Sequence, residues 1–232
     1  MLILAIDTAS IYCAVALIRH KSVHHKSVIA HISERMNKGH AEKLIGYIAQ
    51  VTNQANITLN QVDRIAVNIG PGSFTGVRVG VSTARALALA LEIPAIGVSA
   101  LEALAAQAAN KNTTLAITVV IEAGRDMFYH QNFKEDLTPL GAPSLKTIDN
   151  IIEDLPQQTR LTGPAANIVA LYIKNNQINK KVVLDQILCE AADIVSYAHL
   201  AANKQPQEHP RPLYLRNADA KQQTGFALPR KK

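Results

Sequence analysis

The amino-acid sequence predicts an α/β fold, and three observations support this class. Short apolar runs of strand length alternate with segments whose apolar residues follow helical spacing. The second half of the chain repeats the series of the first half in pattern, although not in residues. A glycine-rich segment, GPGSFTGVRVG at Gly70–Gly80, stands where a predicted strand gives way to a long predicted helix.

The first half begins with three predicted strands. The first run ends in Asp7, and the short polar connections between the runs, including a turn at Arg19–His25, indicate an antiparallel meander. The apolar period then changes to that of an amphipathic helix. Strands are predicted at Leu2–Ile6, Ile11–Ile18, Ser27–Arg35, Arg64–Ile69 and Pro94–Val98, and helices at His40–Ala55 and Thr75–Leu91.

The second half starts a similar series. Strands are predicted at Leu115–Ile121, Met127–Phe133 and Lys181–Leu184, and helices at Leu101–Ala109, Ile148–Leu155, Pro164–Asn175 and Glu190–Ala202. Pro206, Pro210 and Pro212 then end the last helix and begin an extended tail.

The start of the glycine-rich segment favours a sharp chain reversal. Pro71 has a fixed φ, and the glycines beside it adopt conformations that other residues avoid. Ser73 or Thr75 can cap the helix that follows. Two interpretations remain open, a turn made for packing and an anion site at the helix start. The segment lacks the Gly-Lys-Ser/Thr ending of a P-loop and the G-x-G-x-x-G pattern, which favours packing. The residues concerned are Gly70, Pro71, Gly72, Ser73, Phe74, Thr75 and Gly76.

The helix after this turn has a face of small residues. Gly76, Gly80 and Ala84 recur every four residues, so another backbone can approach this face closely. Arg78 and Arg85 belong to the remaining polar stripe.

Composition limits the class of protein. The 232 residues are 48% apolar, enough for a core, but only 4% aromatic with no Trp, which suits base stacking poorly. Cys13 and Cys189 predict two buried free thiols in a reducing compartment. No run reaches the roughly 18 apolar residues of a membrane span, and the first residues lack the features of a signal peptide. We therefore expect a soluble cytoplasmic protein that contacts no membrane.

Several stretches together resemble one family. The segment IGPGSFTGVRVG resembles the signature of the bacterial TsaB (YeaZ) family. Weaker matches follow in the same order over nearly the whole chain: LAIDTAS at the start, HAEKL, IPAIGVSALEALA, IEAGRDMFY and RPLYLRN near the end.

The resemblance implies a fold and a role. The fold is that of the actin/Hsp70/sugar-kinase class, with two RNase H-like domains, expected here at residues 1–99 and 100–205, and an extended tail at 206–232 that packs back on the first domain. The implied role is that of a non-catalytic scaffold subunit in making the threonylcarbamoyl modification of adenosine 37 in tRNA. Its partners would be a TsaD-like catalytic subunit and a TsaE-like ATPase, with a homodimer when alone and with tRNA contacted only through the complex.

The resemblance also implies which helices pair with a partner. These are His40–Ala55 and Thr75–Leu91, and substituting Val81 by Glu is expected to weaken the pairing without unfolding the chain. The candidate interface residues are Leu44, Tyr47, Ile48, Val51, Val77, Arg78, Val81 and Arg85.

No catalytic residue, cofactor site or metal site is expected in this chain. Ala100 and Leu104 stand where the TsaD pattern has a metal-binding pair of histidines, and neither side chain can bind a metal. Asp7 and Thr8 begin a first phosphate turn that lacks glycine, and a second turn at Glu122–Arg125 has a single glycine. Asp7 is expected to accept hydrogen bonds from its own turn rather than to hold a metal ion.

Other classes of function stay open as alternatives. One is a stand-alone actin-fold ATPase or kinase. A second is a metallopeptidase that uses His20, His24 and His25, although that stretch reads as a surface turn. A third is direct tRNA binding, because part of the net charge of +6 lies in a basic tail that includes Lys221 and Arg230–Lys232. The alternative for this tail is a solvated chain end without a binding role.

Overall fold

The computed structural model describes residues 1–22, 25–109, 114–185, 189–206 and 209–216. His24 and the basic tail beyond residue 216, both named in the sequence analysis, lie outside the described residues. The described part contains two five-stranded sheets and six α-helices.

The first sheet has the strand order β3-β2-β1-β4-β5. The first three strands pair antiparallel, as predicted, and β4 and β5 join parallel to β1. The predicted turn at Arg19–His25 was wrong, because the ladder between β2 and β3 continues to the pair Ser22 and His25. A ladder is built from backbone N–H and C=O groups, so a polar stretch can pair as a strand. The strands are β1 Leu2–Asp7, β2 Tyr12–Ser22, β3 His25–Arg35, β4 Arg64–Asn68 and β5 Ala95–Val98.

The second sheet repeats this topology. Its order, β8-β7-β6-β9-β10, again places the third, second, first, fourth and fifth strands of the unit side by side, with the same antiparallel and parallel pairings. The repetition seen in the sequence pattern is therefore a repetition of architecture. The strands are β6 Ala116–Gly124, β7 Met127–Phe133, β8 Ser144–Lys146, β9 Gln158–Thr162 and β10 Lys181–Leu184.

The sequence did not predict β8 or β9. β9 is a central strand, yet its sequence QTRLT contains only one aliphatic side chain. Its buried Thr159 is satisfied by hydrogen bonding, since Oγ1 donates to the carbonyl of Ala116 and lies 2.8 Å from Oγ1 of Thr118. Polar partners on the neighbouring strand thus replace the apolar pattern on which strand prediction depends.

The six helices cover both sheets. Helices α1 and α2 pack on one face of the first sheet and α4 and α5 on one face of the second, while α3 packs on the other face of the second sheet. Helix α6 follows the second sheet in sequence, yet it packs on the first, where Tyr197 is fully buried. The helices are α1 His40–Ala55, α2 Phe74–Leu91, α3 Ala100–Ala108, α4 Ile148–Asp154, α5 Ala166–Asn175 and α6 Ile194–Asn203.

Helix α2 is only partly buried. Over its 18 residues the mean hydropathy is 1.2, so by length and composition alone it could cross a membrane, contrary to the sequence expectation. Val77, Val81 and Ala84 are buried against the first sheet, but Phe74 and Leu89 are exposed. Packing on the sheet therefore accounts for only part of its apolar content.

The pH dependence of stability is expected to report on the buried His130. This side chain is 3% exposed, and its Nε2 lies 3.2 Å from Oδ1 of Asn132. Burial lowers the pKa of His130 below its usual 6.5, so the unfolded chain binds a proton more readily than the folded one. We expect the free energy of unfolding to fall as the pH drops below 6.5 and through the lower folded pKa.

Urea denaturation between pH 7.5 and 5 measures this effect. In the variant His130→Gln the decline over this range should become shallower. An unchanged decline in that variant would show that other groups cause it.

Candidate functional site

The glycine-rich segment packs directly on the turn between β1 and β2. A Cβ atom at Gly72 would lie 2.2 Å from the carbonyl oxygen of Ala9, and one at Gly76 would lie 1.9 Å from that of Thr8. The N–H of Ser73 donates to the Ala9 carbonyl at 2.8 Å, and Oγ1 of Thr8 donates to the Gly76 carbonyl at 2.7 Å. Glycine is required here because two backbones are in contact.

The stripe of small residues on α2 serves the same contact. Beyond Gly76, a Cβ at Gly80 would lie 2.6 Å from Oγ1 of Thr8 and 3.5 Å from the side chain of Val67. The close approach that the stripe permits is therefore made within the chain, to the first sheet. A partner's backbone cannot occupy the same face.

Several N–H groups at and just before the start of α2 are hydrogen-bonded within the chain. The backbone at Gly70 has φ +100°, and Ser73 caps the helix by accepting from the N–H of Gly76 at 3.2 Å. The N–H of Val77 donates to the Ser73 carbonyl, and that of Gly70 donates to Oδ1 of Asn68. These hydrogen bonds belong to a capped helix start that is packed on its own chain.

Asp7 organises the turn that receives this segment. It is buried, and its Oδ1 accepts from the N–H groups of Ala9 at 2.8 Å and Ser10 at 3.2 Å and from Nδ2 of Asn68 at 2.9 Å. Burial raises the pKa of Asp7, and these hydrogen bonds oppose that rise. Asp7 thus accepts hydrogen bonds from its own turn.

The sequence analysis did not identify Asn68 as a key residue. It is buried at the end of β4, where it links Asp7, the N–H of Gly70 and, at 2.9 Å, the hydroxyl of Tyr197 on α6. The available signal was an amide at the end of an apolar strand, two residues before Gly70.

A cleft of about 360 Å³ lies between the two sheets, bounded by the turns expected to be phosphate turns. Ser10 and Ser73 line it from the first half, Glu122 from the second, and Glu190 from the segment before α6. Among the described residues that line it, none is a lysine or an arginine. The lining therefore offers a polyphosphate no cationic side chain directly, and the carboxylate of Glu190 is paired with Arg35 at 3.0 Å.

The positions at which the TsaD pattern has metal-binding histidines are part of the core in this chain. Ala100 and Leu104 are buried at the start of α3, and Leu104 lines the cleft. The described ranges contain no group of three or more His, Cys, Asp or Glu placed to hold a metal ion. His20, from the peptidase alternative, stacks at 5.8 Å on the ring of His199.

Six of the eight candidate interface residues are not on the surface. They are at most 8% exposed because the apolar stripes of α1 and α2 cover the chain's own first sheet. The expectation that they offer an apolar face to a partner was therefore wrong. These six are Leu44, Tyr47, Ile48, Val51, Val77 and Val81.

Other residues form the exposed face of the same helices. Ile45 on α1 is 60% exposed, and Phe74 and Leu89 on α2 are 46% and 78% exposed. Of the original candidates, Arg78 and Arg85 do face solvent. The signal available in the sequence was that these apolar residues lie off the main stripe of each helix.

One end of this exposed face is an ordered cluster. The guanidinium carbon of Arg78 lies 3.7 Å from the ring centroid of Phe74, and Nε of Arg78 donates to the hydroxyl of Tyr214 at 2.8 Å. The rings of Phe74 and Tyr214 are 5.3 Å apart. Tyr214 comes from the segment after α6, whose Leu213 N–H donates to the Ile69 carbonyl at 2.8 Å.

The two cysteines are free thiols, as expected, but they differ in burial. Cys13 is buried in the first sheet, and Cys189 is half-buried. Burial raises the pKa of Cys13 to about 11, so this thiol is unreactive at neutral pH.

Two sheets of identical topology, a shared cleft and a glycine-rich junction define the actin/Hsp70/sugar-kinase class with its two RNase H-like units. The family model described as "TsaD: tRNA N6-adenosine threonylcarbamoyltransferase" matches residues 27–222. The chain belongs to the TsaD family, and its relatives assign it to the TsaB (YeaZ) group of that family.

Relatives and solved structures agree on that group. The "tRNA threonylcarbamoyladenosine biosynthesis protein TsaB" of Escherichia coli is 35% identical over 59% of this chain and 56% of its own length, and that of Bacillus subtilis is 35% identical over 56% and 53%. The chain thus spans little more than half the length of these curated relatives. YeaZ from Pseudomonas aeruginosa superimposes with a TM-score of 0.71 at 25% identity, covering 92% of this chain and 99% of that structure.

The backbone contact at the glycine segment predicts a large difference between two Gly→Ala variants. Gly76→Ala places a Cβ against a backbone carbonyl and should cost about 3 kcal/mol. The control Gly46→Ala lies inside α1 with nothing within 4 Å, so it should stabilise the fold by roughly 0.5–1 kcal/mol. Urea denaturation measures both. Equal changes in the free energy of unfolding would contradict the backbone contact at Gly76.

Proposed function

We propose that this chain is a non-catalytic scaffold subunit of the system that makes N6-threonylcarbamoyladenosine at position 37 of tRNA. It binds a TsaD-like catalytic subunit and supports a TsaE-like ATPase, self-associates when alone, and meets tRNA only through the complex. The observation that carries the proposal is the exposed apolar and cationic face of α1 and α2 in a chain whose relatives are named for this modification.

The exposed face has the composition of a protein–protein interface. Ile45, Phe74 and Leu89 expose large apolar side chains on two adjacent helices. Apolar residues that cluster on a surface mark an interaction site, whereas scattered ones do not. Arginine and aromatic side chains are enriched in such interfaces, and the Arg78 cluster provides both.

The charge of this face favours a partner that presents carboxylates. Arg78 and Arg85 are exposed, and no Asp or Glu lies between Phe74 and Leu91. Two copies of α2 facing each other would bring like charges together, whereas an acidic partner helix would pair with them. Added salt should therefore weaken binding of the partner more than it weakens self-association.

The cleft supports a role without chemistry of its own. The carboxylate of Asp7 accepts hydrogen bonds from three donors, and that of Glu190 is paired with Arg35 at 3.0 Å. The positions of the TsaD histidine pair hold aliphatic residues. Metal binding would need ligating side chains at these positions, and phosphate binding would need cationic ones.

Substitutions on α2 should separate binding from folding. Leu89→Glu places a charge in the exposed face and should weaken association at least about tenfold, roughly 1.4 kcal/mol, with the fold intact. Val81→Glu, whose site is 3% exposed, should unfold the chain instead. Leu171→Glu on the exposed face of α5 is the matched control and should bind normally.

Size-exclusion chromatography with light scattering measures this, using the chain alone and mixed with its TsaD-like subunit. A wild-type chain that stays strictly monomeric and never co-elutes with that subunit would falsify the proposal.

A stand-alone ATPase is the second candidate, favoured only by the position of the cleft between the two turns. Isothermal calorimetry with ATP and Mg²⁺ on the isolated chain should give no binding heat, because the cleft has carboxylates and no lysine or arginine among its described lining residues. Binding of ATP with micromolar affinity would favour the ATPase interpretation over a scaffold role alone.

A further inference from the structure

Residues 213–216 contact both halves of the molecule. At one end, the N–H of Leu213 donates to the carbonyl of Ile69 at 2.8 Å, directly before the glycine segment. At the other, Arg216 donates to the carbonyl of Gly124 in the turn between β6 and β7 at 3.2 Å. This strap, defined as residues 213–216, therefore runs from the junction of β4 and α2 to the second sheet.

The two residues between these ends contact different halves of the molecule. The ring and hydroxyl of Tyr214 pack on Phe74 and Arg78 of α2. The next side chain, Leu215, packs against the cluster that contains Ile117 of β6. Consecutive residues of an extended chain point in opposite directions, so the strap places one side chain in each half.

The strap also fixes the exposed face of α2. Phe74 and Arg78 are surface side chains that would lose rotamer freedom on binding a partner, which costs free energy. In the free chain Arg78 is already held between the Phe74 ring and the hydroxyl of Tyr214. Holding these two side chains in one arrangement lowers that cost.

We propose that the strap couples the partner-binding face of α2 to the relative position of the two halves, with Tyr214 as the positioning residue. The face is complete when the turn at Gly124 is close enough for Arg216 to reach it. A movement of the second half away from the first pulls Tyr214 off Arg78 and disorders the face. The part concerning the partner rests on the proposed function, whereas the coupling itself is a property of the free chain.

Three variants separate the contacts. Tyr214→Phe removes only the hydrogen bond to Arg78, Tyr214→Ala removes the ring as well, and Arg216→Ala acts from the opposite end. Tyr214 is 47% exposed, so these changes leave the core intact. Tyr172→Phe is the control, since it removes another surface hydroxyl, one that donates to Asp149 at 2.5 Å far from the strap.

Hydrogen–deuterium exchange on the free chain tests the coupling. Tyr214→Ala should speed exchange about tenfold in residues 70–78 and in residues 122–126, Tyr214→Phe less, and Arg216→Ala should do the same in both segments. The Tyr172→Phe control should change neither. A rise confined to the segment next to the substituted residue would overturn the proposal.

Binding to the TsaD-like subunit tests the positioning role. Tyr214→Ala and Arg216→Ala should each raise the Kd about tenfold, and the second is decisive because it is anchored on the other half. Unchanged affinity in Arg216→Ala, with wild-type binding intact, would overturn that role. Absence of binding by the wild-type chain would instead refute the proposed function, and the exchange result would still decide whether the strap couples the halves.

Discussion

The backbone contact between the β1–β2 turn and the start of α2 is the constraint on which the rest of the structure depends. The carbonyls of Thr8 and Ala9 lie so close to Gly76 and Gly72 that no side chain fits between them. This contact sets the direction in which α2 leaves the sheet. It therefore decides which side of the helix is buried and which side remains for a partner.

A buried polar network holds this junction together. Asp7 pairs with its own turn and with Asn68, and Asn68 in turn contacts the glycine segment and Tyr197 on α6. Such a network costs free energy when a member is left unpaired. Because its members come from β1, β4 and α6, it connects segments far apart in sequence at the place where an actin-like protein would bind phosphate. Here the turn is in direct backbone contact with the glycine segment.

The exposed face of α2 and the strap extend this junction to the surface. The cluster of Phe74, Arg78 and Tyr214 lies one helical turn from the buried glycines. The packing of the core therefore positions the side chains that would contact a partner. A scaffold subunit needs a surface that is arranged before binding, because arrangement during binding costs affinity. In the free chain the fold already holds Phe74, Arg78 and Tyr214 in such an arrangement.

The sequence by itself determined the class of fold, most strands and helices, the glycine junction and the family, because these depend on local periodicity and on residues that only one backbone conformation accepts. It could not reveal β9, whose buried threonine is satisfied by a strand 41 residues earlier. It also assigned Leu44 and Val81 to a partner when they cover the first sheet. Periodicity shows that a helix has an apolar face, but only the tertiary structure decides what covers it, since the answer depends on which elements the rest of the chain brings alongside.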